Sequence, residues 1–172
     1  MDIKKMQPLM IKWGLIKGVI TILVGLLSLQ FIGNPAMSLL PSLLLLAAPI
    51  LILLFAFKEY KNINEGFMRL KEAIVLGLGI YLVEYLISTA WTLLYNNVIN
   101  PGGQDEALDK AMDQMEASPG MSDGMLDMFS GIMETAQSPM AIIFGGLVSA
   151  FFFGAIWSLI MGAILKKDPN QG

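Results

Sequence analysis

Four runs of apolar residues, each about as long as a membrane-crossing helix, constrain this chain more than any other feature. They extend over about Trp13 to Ile32, Leu39 to Phe57, Ala73 to Leu94 and Met140 to Leu165. A helix needs roughly 20 such residues to cross a hydrocarbon core. None of the runs alternates with the two-residue period of a strand, and in lipid only helices or closed barrels satisfy every backbone group. The expected fold is therefore all-α: a four-helix transmembrane bundle forming a single integral membrane domain over residues 1–172. A helical extracytoplasmic loop, residues 95–139, is expected between the third and fourth spans.

Rival readings of the first two runs are weaker. Lys4 and Lys5 before an apolar stretch resemble the start of a cleaved signal peptide. However, Lys17 interrupts the stretch, and the region of Asn34-Pro35-Ala36 has no convincing small-x-small cleavage site, so the first span is expected to be retained. The second run could be a buried soluble helix, but Leu43-Leu44-Leu45-Leu46-Ala47-Ala48 is apolar on every face. Pro41 suits its first turn, and Pro49 is expected to kink it near the middle.

Composition removes other classes. Charged residues make up 15% of the chain, against about 25% in soluble domains. Cysteine and histidine are both absent, which excludes disulfide scaffolding, Cys/His zinc sites and thiol or imidazole catalysis. A net charge of −3 and a pI near 4.8 argue against a nucleic-acid partner. No catalytic residue, metal or cofactor is assigned; the expected partner is the lipid bilayer.

Basic residues favour the cytoplasmic side of membrane proteins. Lys4, Lys5, Lys12 and Lys17 lie toward the start of span one, Lys58, Lys61, Arg69 and Lys71 between spans two and three, and Lys166 and Lys167 after span four. Of the 11 basic residues, only Lys110 falls on the opposite side, in a loop rich in Asp and Glu. Both termini and the connector are therefore expected in the cytoplasm.

Several segments together resemble a family of small four-span bacterial membrane proteins known as a domain of unknown function. These are WGLIKG at Trp13 to Gly18, FKEYKNINEGF at Phe57 to Phe67, NNVINPG at Asn96 to Gly102, and the glycine-spaced last span ending in Lys166-Lys167. The resemblance covers nearly the whole chain. It implies a multi-pass protein of the bacterial inner membrane with an outer loop between spans three and four, and brings no activity, ligand or catalytic residue with it.

Glu84 is the most informative single residue. It falls near the middle of span three, with Tyr81, Tyr85 and Ser88 on the same helical face. A charged side chain at the bilayer centre costs on the order of 3 kcal/mol on insertion scales, so Glu84 should face the bundle interior. It could be a proton or cation site, pair with Lys17, or act as a protonated hydrogen-bond partner. Counted from Trp13 and Ala73 at about 1.5 Å per residue, Lys17 and Glu84 differ by about 10 Å in depth. On that reckoning Lys17 could instead snorkel to the cytoplasmic interface.

Span four carries Gly146, Ala150, Gly154, Ser158 and Gly162 at an unbroken spacing of four. Small residues let membrane helices approach closely. The stripe is either an intrachain packing face or the seam of a homodimer. Span one offers a related face at Gly14, Gly18, Gly25 and Ser28.

Two amphipathic helices are expected in the outer loop. The apolar side of one is Leu108, Ala111, Met112 and Met115; that of the other is Met125, Leu126, Phe129, Ile132 and Met133. Pro101-Gly102-Gly103, Ser118-Pro119-Gly120 and Ser138-Pro139 punctuate the loop. Its methionines fall among Leu, Phe and Ile at helical spacing, a packing pattern rather than a Cu(I) site. Its acids lack the glycine-turned ligand loop of a calcium site. The connector Lys58 to Glu72 is expected to hold a short interfacial helix that anchors the span ends. A structural or accessory subunit of a membrane assembly fits the sequence best; a small transporter or channel using Glu84 is the alternative.

Overall fold

The computed structural model of the protein describes residues 2–29, 31, 35–116 and 122–167. Ile32, Asn34, the Ser118-Pro119-Gly120 break and Met121 lie outside the described residues. Six α-helices form: α1 (Ile3–Leu29), α2 (Pro35–Ile63), α3 (Leu70–Leu94), α4 (Gly103–Glu116), α5 (Asp123–Gln137) and α6 (Pro139–Leu165). A π-helical turn, Tyr95–Ile99, prolongs α3. Four segments are long and apolar enough to cross a membrane: Ile3–Leu29, Leu39–Ile63, Leu70–Ile99 and Pro139–Leu165. The protein is an all-α, multi-pass membrane protein.

Helix boundaries depart from the hydropathy limits where polar residues favour helix. α1 starts ten residues before Trp13 and contains Pro8. α2 starts at Pro35, so Pro41 lies inside it rather than in its first turn. α2 also runs on through Lys58-Glu59-Tyr60-Lys61, so no separate interfacial helix forms there. Straight-chain Lys and Glu lose little rotamer freedom in a helix, and the end of the apolar run is no reason for the helix to stop. What stops it is a turn: Glu65 and Gly66 both have positive φ, at 55° and 84°. The Gly66 N–H donates to the Lys61 carbonyl at 2.7 Å, closing the helix end.

The chain divides into two compact units, Met1–Ser88 with Leu147–Gly172, and Thr89–Gly146. In the first, α3 is the central element. Its buried residues Ala73, Leu76, Gly77, Ile80, Tyr81, Glu84 and Tyr85 recur at alternating steps of three and one, which makes one continuous stripe on a helix. α1 runs parallel to α3 in constant register. Gly79 faces Met10, Gly14 faces Val83, and Gly18 faces Ile87. α6 runs antiparallel to α3 with the same regularity, pairing Gly162 with Ala73, Ser158 with Gly77 and Gly154 with Tyr81. α2 packs on α1, where the Trp13 and Phe55 rings stack with centroids 6.0 Å apart. Leu53, fully buried, reaches in toward Gly77. The outer faces carry exposed Val19, Leu23, Leu43, Phe55, Phe152 and Ile164, as expected of surfaces solvated by lipid.

The helix ends Leu165, Ile63 and Leu70 gather at one end of this unit. The Lys61 ammonium donates to the Leu165 carbonyl at 3.1 Å. Met68 and Lys167 exchange two backbone hydrogen bonds, 3.0 and 2.9 Å, in an isolated antiparallel bridge.

In the second unit, α4 and α5 pack on each other. Leu108, Ala111, Met112 and Met115 are half-buried, and the acids of α4 whose side chains are described are exposed. On α5 the expected apolar side divides. Leu126, Phe129 and Met133 are half-buried, whereas Met125 and Ile132 are exposed, with Met128 beside them. Positions 126, 129 and 133 share a helical face; 125, 128 and 132 lie one residue round, and a two-helix contact covers only one of these stripes.

Candidate functional site

The constant register of α1 on α3 creates a charged pair within the bundle core. Lys17 lies 14 residues into α1 and Glu84 lies 14 residues into α3, a rise of about 21 Å in each case. The depth gap expected from Trp13 and Ala73 is therefore absent, because the helices start at Ile3 and Leu70. Close approach at Gly14 and Gly18 brings the two side chains within reach. A Cβ at Gly14 would lie only 2.5 Å from the Val83 Cβ.

The Lys17 ammonium nitrogen lies 3.0 Å from the Glu84 Oε2. Lys17 is 7% exposed and Glu84 9%, so both are buried, and Lys17 does not snorkel. The ammonium also sits 4.1 Å from the centre of the Tyr81 ring, over an electron-rich face that attracts cations. Gly154 makes that ring position possible: a Cβ there would lie 3.0 Å from the Tyr81 Cβ. The small-residue stripe of α6 and the charged pair are thus linked through Tyr81.

The remaining site residues sort as follows. Tyr85 is buried beside Glu84, and the Ser88 hydroxyl donates to the Tyr85 carbonyl at 3.3 Å. The hydroxyls of Tyr81 and Ser158 are buried and have no hydrogen-bond partner. Ala150, Gly154, Ser158 and Gly162 are buried within the chain, and Gly146 is half-buried. α3 occupies the stripe at Gly154, Ser158 and Gly162, so these positions form an intrachain packing face.

Chemically, the arrangement neutralises two charges against each other. In a low-dielectric interior each ion's desolvation is offset only by a well-placed partner, and here that partner is the opposite ion with an aromatic face behind it. No second acid joins the pair among the described residues. No group of three or more Asp or Glu able to hold a metal occurs among them either.

Another polar group was not legible in the sequence. Glu59, just past the apolar run of α2, accepts hydrogen bonds from Lys12 Nζ and from the Trp13 indole, each at 2.8 Å. Lys12 and Glu59 are 47 positions apart, and no spacing rule joins them. Their position just beyond the apolar stretches was the only available signal. In the second unit, Lys110 lies 2.7 Å from Glu106 one helical turn away. Its hydrogen bond holds the Glu106 carboxyl below the usual carboxylate range.

Across residues 12–167 the chain matches the family described as "Protein of unknown function (DUF4199)", and it belongs to that family. Comparison with curated proteins and with solved structures finds no match.

Proposed function

We propose that this chain, as a member of the DUF4199 family, is a structural or accessory subunit of a larger assembly in the bacterial inner membrane, not an enzyme. On this reading both termini and the α2–α3 connector face the cytoplasm. The observation that carries the proposal is the closed Lys17–Glu84 pair, 3.0 Å long and buried on both sides. A carboxylate that must bind and release protons or cations needs access and a free valence. Glu84 instead has its charge matched by Lys17, and Tyr81 covers the lysine. The polar groups at membrane depth do not converge on a nucleophile with a base, and the acid and amine that do meet, Glu84 and Lys17, neutralise each other. Orientation is supported by the basic residues around the ends of α2, α3 and α6.

Blue-native electrophoresis of membranes solubilised in mild detergent tests the reading. The chain should migrate in a complex larger than itself with different proteins, and Lys17→Met/Glu84→Leu should leave that complex intact. Migration as a lone chain would overturn it.

The unpartnered Tyr81 hydroxyl beside the pair favours a second reading, a small proton or cation transporter that uses Glu84. Purified protein in vesicles loaded with a pH-sensitive dye separates the two. Glu84-dependent flux, abolished in the double apolar variant, would establish transport.

A further inference from the structure

We propose that the end of the bundle where the connector meets the tail of α6 is a binding surface for the phosphate of an anionic phospholipid. The backbone bridge between Met68 and Lys167 is antiparallel, so its register sets Arg69 opposite Lys166. Like charges held directly opposite each other are destabilising, yet this fold brings them together from positions nearly a hundred residues apart. Arg69, Lys71, Lys166 and Lys167 are all exposed, and among the described residues none is in an ion pair. Two acids adjoin this group in sequence, Glu72 and Asp168; Glu72 is buried and accepts the Arg69 backbone N–H at 2.8 Å. Asp168 lies outside the described residues. Lys61 is directed to the Leu165 carbonyl, which fixes the third helix end beside the bridge.

Depth selects the occupant. The apolar part of α2 ends at Phe57, α3 begins at Leu70 and α6 ends at Leu165, so the cations sit just beyond the hydrocarbon, at headgroup level. Basic surfaces at this level attract anionic lipids, at about fivefold in affinity per Lys or Arg. A phosphate between Arg69 and Lys166 relieves their repulsion, and its acyl chains lie along the exposed apolar faces. The surface rests on the chain crossing a bilayer and not on which leaflet it meets or on the subunit role proposed above.

The test measures the melting temperature of the full chain in nanodiscs of phosphatidylcholine alone or mixed with phosphatidylglycerol, and lipid retention by native mass spectrometry. Phosphatidylglycerol should raise the melting temperature and remain bound to the wild type. Arg69→Gln/Lys166→Gln should bind it about thirtyfold more weakly and lose most of the shift. Lys4→Gln/Lys5→Gln, at exposed lysines of α1 outside the bridge, should keep it. An equal loss in both double variants would mean diffuse charge and would overturn the site, as would retention by Arg69→Gln/Lys166→Gln. The same stabilisation by inorganic phosphate in phosphatidylcholine would overturn the lipid assignment.

Discussion

Removing one member of the Lys17–Glu84 pair should destabilise the protein far more than removing both. At 3.0 Å and an effective dielectric of about 20, the attraction is about 5–6 kcal/mol. Desolvation of the two ions cancels several kcal/mol of that gain, so the net worth of the pair against apolar replacements is small. Glu84→Gln keeps the shape but leaves the Lys17 charge buried without a counter-ion, which should cost about 3–5 kcal/mol. For a chain of this size that corresponds to a fall of roughly 6–20 °C in melting temperature. Lys17→Met/Glu84→Leu removes both charges and should be near neutral, or more stable by about 1–4 kcal/mol. Thermal unfolding in detergent, followed by tryptophan fluorescence, measures all three proteins. An ordinary interhelical hydrogen bond in a membrane is worth about 0.6 kcal/mol. A fall of only that size in Glu84→Gln, or a double variant as unstable as the single one, would refute the reasoning.

Other expectations follow from the helix contacts. A Cβ at Gly77 would run into the Ser158 side chain, so Gly77→Ala should cost about 1–3 kcal/mol through overpacking. Gly77→Ala/Ser158→Gly should recover most of that loss in the same melting assay. Gly25 lies within α1 and meets nothing within 4 Å, so Gly25→Ala should raise stability by about 0.5–1 kcal/mol through helix propensity alone. The chain has no cysteine, so single-cysteine variants report topology directly. An impermeant thiol reagent added to intact cells should label Asp127→Cys and spare Glu65→Cys. The hydrogen bond from Lys110 lowers the Glu106 pKa. The contribution of this pair is thus present above the unfolded carboxyl pKa, about 4.3, and is lost as pH falls through the lowered folded value. An NMR titration of Glu106 should show that low midpoint, and Lys110→Ala should return it to the ordinary range.

The amino-acid sequence by itself determined the number of spans, the all-α class and the special status of Glu84. Each follows from a local property: the length of an apolar run, the cost of an exposed backbone in lipid, the cost of a lone carboxyl among apolar residues. It also marked the four-residue stripe of α6, because small residues at that spacing can only make a flat face. Which surface covered the stripe was beyond its reach. Packing laid α3 against Gly154, Ser158 and Gly162. The partner of Glu84 was undecided for a similar reason. Depth along a helix depends on where the helix begins, and hydropathy located the start of the apolar run at Trp13 instead of the start of the helix at Ile3. Only the tertiary register of α1 on α3 brought Lys17 level with Glu84, and only the return of the chain at Met68 and Lys167 brought Arg69 against Lys166. Contacts between residues distant in sequence depend on how helices dock, and docking is decided by shape complementarity summed over whole faces, which no single segment carries.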